Sequence, residues 1–96
     1  MTTKREIVKS VAELSALTQA QTHEVVQLTL DAIADTVVRE GRLELRRFGV
    51  FEVKHRKARK ARDPRDGKTL DVPARDVLVF RPCKELEQRV AEAGGS

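Results

Sequence analysis

The chain has no tryptophan, no tyrosine and only three phenylalanines among its 96 residues. Readers of single-stranded nucleic acid stack bases on aromatic side chains. Here Phe48, Phe51 and Phe80 each sit in an apolar pattern that a core would claim, so no stacking platform is left. The single cysteine, Cys83, excludes an internal disulfide framework, and no Cys/His set has the spacing of a metal site, which suits a reducing cytosol. No apolar run approaches the length of a membrane-spanning helix, and the opening MTTKREIVKS lacks the apolar stretch of a signal peptide. A soluble, cytoplasmic protein with no membrane partner is therefore expected. Catalysis is not expected either: no nucleophile, base and orienting group form a set, and nothing calls for a cofactor.

Positive charge, by contrast, is concentrated. Lys and Arg number 19 against 15 Asp and Glu, a formal net charge of only +4. Residues 54–68, KHRKARKARDPRDGK, hold eight of the basic side chains and two of the acids, so this one stretch carries +6 and the rest of the chain −2. Such asymmetry points to a polyanionic partner, nucleic acid first and an anionic membrane second.

Periodicity divides the chain. Thr3 followed by Glu6 reads as a capping box opening a helix with Ile7, Val8, Val11 and Leu14 on its apolar side. Thr18 followed by Gln21 repeats the signal for a second helix over about Gln19 to Glu40, which Gly41 stops. Its stripe of Val26, Leu30, Ile33 and Val37 is widened by Val25, Leu28, Ala34 and Val38 beyond what one neighbouring helix covers. From Gly41 the period becomes two. Leu43 and Leu45 alternate with charges, Phe48 and Gly49 mark a tight reversal, and Phe51 and Val53 resume the alternation, giving a β-hairpin.

From Arg56 onward the alternation fades on the outgoing strand, and Leu70 and Val72 supply only a short apolar pattern on the way back. Two strands joined by the DPRDG turn, too polar to fold onto a core, thus describe a ribbon projecting into solvent. DVLVF, residues 76–80, reads as a buried strand, Pro82 as the first turn of a last helix carrying Leu86 and Val90, and GGS as a frayed tail. The expected architecture is α+β in one domain: a helical base over 1–41, a three-stranded antiparallel sheet over 42–80 with a long protruding β-arm at about 54–73, a short C-terminal helix over 81–93 and a tail at 94–96. With the arm set apart, the remaining core is too small to stand comfortably alone, and a partner subunit is the simplest remedy.

Three segments in this order carry a resemblance. RRFGVFEVKHR resembles the pattern G-F-G-x-F followed by a basic strand, ARDPRDGK resembles the arm-tip pattern G-R-N-P-x-T-G-K, and VFRPCKEL resembles F-x-P-G-K-x-L. From about residue 3 to residue 90 the chain is similar to the bacterial HU and integration host factor family of DNA-bending proteins, with LELRRFGVF and FRPCKELEQRV leaning towards the integration host factor branch. The resemblance implies an intertwined dimer, a homodimer or a heterodimer with a paralogous subunit, located at the nucleoid. It implies two β-arms reaching into the minor groove of double-stranded DNA. Carried over by position, Pro64 is the residue that inserts between base pairs. Lys54, Arg56, Lys57, Arg59, Lys60, Arg62, Arg65 and Lys68 line the arm against DNA, Lys4 and Lys84 are body contacts to the flanking duplex, and Leu30, Val37, Phe48, Phe51 and Phe80 supply the dimer interface.

Four positions depart from the family pattern. Ala61, Arg47 and Cys83 stand where glycine is usual, and Asp63 stands where asparagine precedes the proline. Asp63 sets a negative charge beside the expected wedge. The function implied is an architectural protein that binds and bends or compacts double-stranded DNA. Two alternatives of other classes are an RNA-binding or ribosome-associated basic module and an interaction protein whose arms grip an acidic partner.

Overall fold

The computed structural model describes residues 1–94. Helices α1 (Lys4–Leu14) and α2 (Gln19–Glu40) are followed by strands β1 (Arg42–Leu45), β2 (Gly49–Arg56), β3 (Arg59–Arg62), β4 (Thr69–Val72) and β5 (Arg75–Pro82), and by helix α3 (Lys84–Gly94). Strands β1, β2 and β5 form an antiparallel sheet in the order β1-β2-β5, and β3 pairs with β4 in a separate two-stranded ribbon. The α+β expectation holds. Gly94 is the last residue of α3 rather than part of a tail, and the other two tail residues lie outside the described residues.

Helix α2 begins and ends where its capping residues dictate. Thr18 Oγ1 accepts the Gln21 N–H at 3.1 Å while Gln21 Oε1 accepts the Thr18 N–H at 3.0 Å, a reciprocal box that satisfies two otherwise free donors. At the other end Gly41 adopts φ +74° and returns its N–H to the Val37 carbonyl at 2.8 Å. The box expected at Thr3 does not form. Thr3 is the N-cap of α1, but its side chain makes no capping bond and only its carbonyl is used, accepting the Glu6 and Ile7 N–H groups. It is exposed near the chain start, where water can satisfy the first-turn donors.

The β1–β2 reversal is made by Arg46, Arg47 and Phe48, with the Phe48 N–H bonded to the Leu45 carbonyl at 3.0 Å. Gly49 is already the first residue of β2, opposite Leu45, so the turn lies earlier than the Phe48-Gly49 pair suggested. A side chain cannot be placed at Gly49: a Cβ there would lie 2.5 Å from the Arg81 carbonyl oxygen and 2.6 Å from the Phe80 ring. The turn's strained residue is Arg47, the one non-glycine with positive φ, at +68°, among the described residues. A side chain in this region costs roughly 1–2 kcal/mol.

Phe51 pairs across the ladder with Leu43 on one side and with Phe80 on the other. The three phenylalanines form one cluster, with ring centroids 4.8 Å apart for Phe51 and Phe80, 5.3 Å for Phe48 and Phe80 and 6.4 Å for Phe48 and Phe51. Helix α2 packs over β1 and β2. DVLVF belongs to a longer strand that is not buried: Leu78 is 61% exposed and Phe80 38%, and β5 lies at the edge of the sheet. Pro82 closes β5 opposite Gly49 instead of opening α3, which an edge strand tolerates since no ladder donor is lost inward. Cys83 then precedes α3, its Sγ accepting the Leu86 N–H at 3.4 Å.

Little of this is a closed core. Among the described residues, Val8 and Val37 are the buried apolar side chains, Gly49 is buried at the start of β2, and Thr22, the buried polar residue, satisfies its hydroxyl by donating to the Thr18 carbonyl at 2.8 Å. The radius of gyration is 18.9 Å, against about 12–13 Å for a compact chain of this length. The accessible surface is 8460 Å², against about 5,500 Å² for a compact monomer of this mass.

Candidate nucleic-acid interface

The basic segment becomes a thin ribbon. Regular pairing of the body sheet runs out to Arg56 opposite Arg75, breaks at Lys57-Ala58 and Pro73-Ala74, and resumes as β3 and β4. Pro73 has no N–H to give a ladder, which fits the interruption. The arm anticipated at about 54–73 therefore has its root, Lys54 to Arg56, inside the body sheet. Around the break lies an open cleft of about 750 Å³ lined by His55, Arg56, Lys57, Arg59, Pro73 and Arg75 among others.

At the tip, the Asp63 N–H bonds to the Lys68 carbonyl at 2.8 Å and the Gly67 N–H to the Asp63 carbonyl at 2.8 Å, so Pro64 to Gly67 make one tight loop. Gly67, at φ +72°, turns the chain back. Pro64 occupies the first loop position, where its fixed φ is suited to the turn and its missing N–H costs nothing, and its ring is exposed. The acids at the tip are absorbed into the backbone: Asp63 Oδ1 accepts the Arg65 N–H and Asp66 Oδ1 the Lys68 N–H, each at 2.9 Å.

Register sorts the arm's side chains onto two faces, since residues directly opposite in an antiparallel ladder point the same way. Arg59 pairs with Val72 and Ala61 with Leu70 on one face, while Lys60 pairs with Asp71 and Arg62 with Thr69 on the other. Arg59 thus stands on a largely apolar face, and Lys60 and Arg62 on a charged one. Arg65 and Lys68 flank the tip loop.

The body sheet continues the charge. Arg42, Lys54, Arg56, Arg75 and Arg81 share one face with Glu44 and Glu52. Glu52 lies 3.0 Å from Arg81 Nη2 and 3.7 Å from Arg42 Nη1, tying the two outer strands to the central one by charge, although its inner oxygen Oε2 has no well-aligned hydrogen bond. On the opposite face His55 Nδ1 lies 2.9 Å from Asp76 Oδ1, directly across the ladder.

Residues 2–91 match the model of the family described as bacterial DNA-binding protein. The chain belongs to that family. Its relatives place it within the HU and integration host factor group. It is 38% identical over 88 residues to DNA-binding protein HU 1 of Bacillus subtilis, covering 92% of this chain and 96% of that one. It is 35% identical over 85 residues to integration host factor subunit alpha of Myxococcus xanthus, covering 88% of this chain but only 66% of that relative's length. Among solved structures it is similar to the HU chain of an Anabaena HU–DNA cocrystal structure, with a TM-score of 0.82 and 33% identity over 94% of this chain and 98% of that one.

For this member of the HU and integration host factor group, the sequence located Lys54, Arg56, Lys57, Arg59, Lys60, Arg62, Pro64, Arg65 and Lys68, and all lie on the ribbon or its root. Lys4 and Lys84 lie elsewhere, as the first residues of α1 and α3. The Lys4 ammonium donates to Gln27 Oε1, and Lys84 is exposed. Of the five interface candidates, Phe48, Phe51 and Phe80 cluster and Leu30 is 44% exposed, whereas Val37 is already buried within its own chain at 6%. Sequence reasoning passed over Arg42, Arg75 and Arg81. Their signal was the alternation itself: each sits in register with the polar side of β2.

Proposed function

We propose that the protein is a non-enzymatic, dimeric architectural protein of the nucleoid that grips double-stranded DNA between two basic β-arms and bends it. The observation that carries this reading is the two-stranded ribbon, cationic along its length, with the exposed Pro64 at its tip. A ribbon is thin enough to enter a minor groove, its Arg and Lys side chains neutralise phosphates, and each such contact releases condensed counterions. Proteins of the HU and integration host factor kind kink DNA by inserting an apolar wedge between base steps, and Pro64 is the apolar side chain in position to do so. The Anabaena relative was crystallised with DNA, which supports the same partner here.

In this reading α1 and α2 form the dimer base, the Arg42–Pro82 region supplies a saddle and the arms, and the cationic sheet face lies toward the duplex. The second subunit is either another copy or a paralogue. The test is a pair of measurements on wild type and Pro64→Ala. Wild-type affinity for duplex DNA should fall steeply with salt, and Pro64→Ala should keep most of that affinity while reducing the bend reported by energy transfer between labelled DNA ends. A flat salt response removes the electrostatic grip; an unchanged bend reduces Pro64 to a turn residue.

A further inference from the structure

Arg47 is the position where the backbone conformation and the side chain disagree. Its φ of +68° is one that glycine adopts freely and a residue with a Cβ does not. The guanidinium gains little in return within the chain. Its nearest acidic neighbour is Glu85 at the start of α3, with Nε to Oε2 at 3.7 Å and both side chains largely in solvent, a loose pair of the kind that contributes little to folding. A strained residue retained without a packing gain is a pointer to function. Arg47 borders a shallow cleft with Arg46 and Arg81, which Glu44 and Glu87 only partly offset, and Lys84 follows the cleft's Cys83 in the chain.

We infer that Arg47 is a DNA-contacting residue of the body, separate from the arm: the strained turn presents its guanidinium to a backbone phosphate of the duplex. This rests on the reading of the protein as a duplex-DNA binder. The ion pair with Glu85 is the resting state of that side chain. Binding exchanges a carboxylate for a phosphate, and guanidinium suits either through the same fork of donors.

The contrast between stability and binding tests it. In Arg47→Gly and Arg47→Asn, both of which tolerate positive φ, the melting temperature should rise by a few degrees. The slope of log affinity against log salt should become shallower by about 0.9 for each subunit, about 1.8 for a dimer. Arg47→Lys should retain the wild-type slope, and Glu85→Gln should tighten binding several-fold at low salt by freeing the guanidinium. Higher stability with an unmoved slope would overturn the inference and leave Arg47 as tolerated strain. Lower stability in Glu85→Gln, with binding unchanged, would assign Arg47 to holding α3. A wild-type protein that bound no duplex would sink the parent reading, an outcome distinct from wild-type binding that is indifferent to Arg47.

Discussion

The Asp63 carboxylate accepts the backbone N–H of Arg65 at 2.9 Å, spanning the exposed ring of Pro64 that lies between them. The acid that replaces the family's asparagine therefore performs the same local task, since an amide oxygen accepts that bond equally well. It differs in charge. A carboxylate about 4 Å from a phosphate is repelled by about 1 kcal/mol in water and about 4 at an intermediate effective dielectric, before screening. Asp63→Asn is expected to keep the loop, tighten DNA binding by roughly the lower of these values for each arm, and at least preserve the bend. Salt titrations of wild type and mutant on one duplex, with bend angle read at saturation, check this. Weaker binding by the mutant would make the carboxylate an asset of this arm. Asp63→Ala, which also deletes the bond to Arg65, should lower the bend.

Lys60 and Arg62 share the charged face of the ribbon. Replacing both with alanine should make the salt slope shallower by up to about 3.6 for a dimer, four phosphate contacts at about 0.9 each. Thermal unfolding should barely move, because both side chains are exposed and the ribbon pairs only with itself. A mutant that melts early yet binds normally would mean that the arm packs on the body.

Gly49→Ala should be among the most damaging single changes in the chain. The added methyl would meet the Arg81 carbonyl oxygen at 2.5 Å and the Phe80 ring at 2.6 Å. The ring could turn away, but the carbonyl belongs to the paired strand and can move only if β2 and β5 separate. A loss of about 3 kcal/mol or more is expected, at or above the usual cost of overpacking. Urea unfolding midpoints would show it, and a near-neutral result would mean that the strand pairing at this end is looser than its register implies.

Legibility in the sequence followed how local the physics was. The Gln19–Glu40 helix could be read to the residue because its two ends are set by Thr18, Gln21 and Gly41 within one turn. The arm could be read because excess charge and missing apolar residues are visible without coordinates. Thr3 misled because a capping pattern says which bond is possible, while solvent at the chain start makes it dispensable. Pro82 misled because proline suits a first helical turn and an edge strand equally, and only the pairing with Gly49 decides between them. The division of Arg59 from Lys60 and Arg62 depends on register across the ribbon, and the strain at Arg47 on a backbone angle, neither of which a pattern of residue types records.

The phenylalanine cluster and α2 lead to the final prediction. Phe48 is 47% exposed, and on α2 Leu28 is 62% and Val38 85% exposed. Helix α3 has no buried residue and leaves an apolar groove between Phe80, Pro82, Leu86 and Val90. The surface in excess of a compact monomer is about 3,000 Å², and even after the arm takes its share this suits the larger interfaces of obligate dimers better than a transient contact. Folding and association should then be one process, and the melting temperature should rise with protein concentration. Leu30→Asp should abolish both dimer and cooperative melting, because a buried unpaired carboxylate is not tolerated in such a seam. Replacing residues 57–70 with a short glycine-containing turn should leave both intact, because none of the apolar surface named here lies in that stretch. Light scattering across a concentration series, with melting curves on the same samples, measures each outcome. A folded monomer from the arm deletion would show that the ribbon, and not the apolar base, joins the subunits.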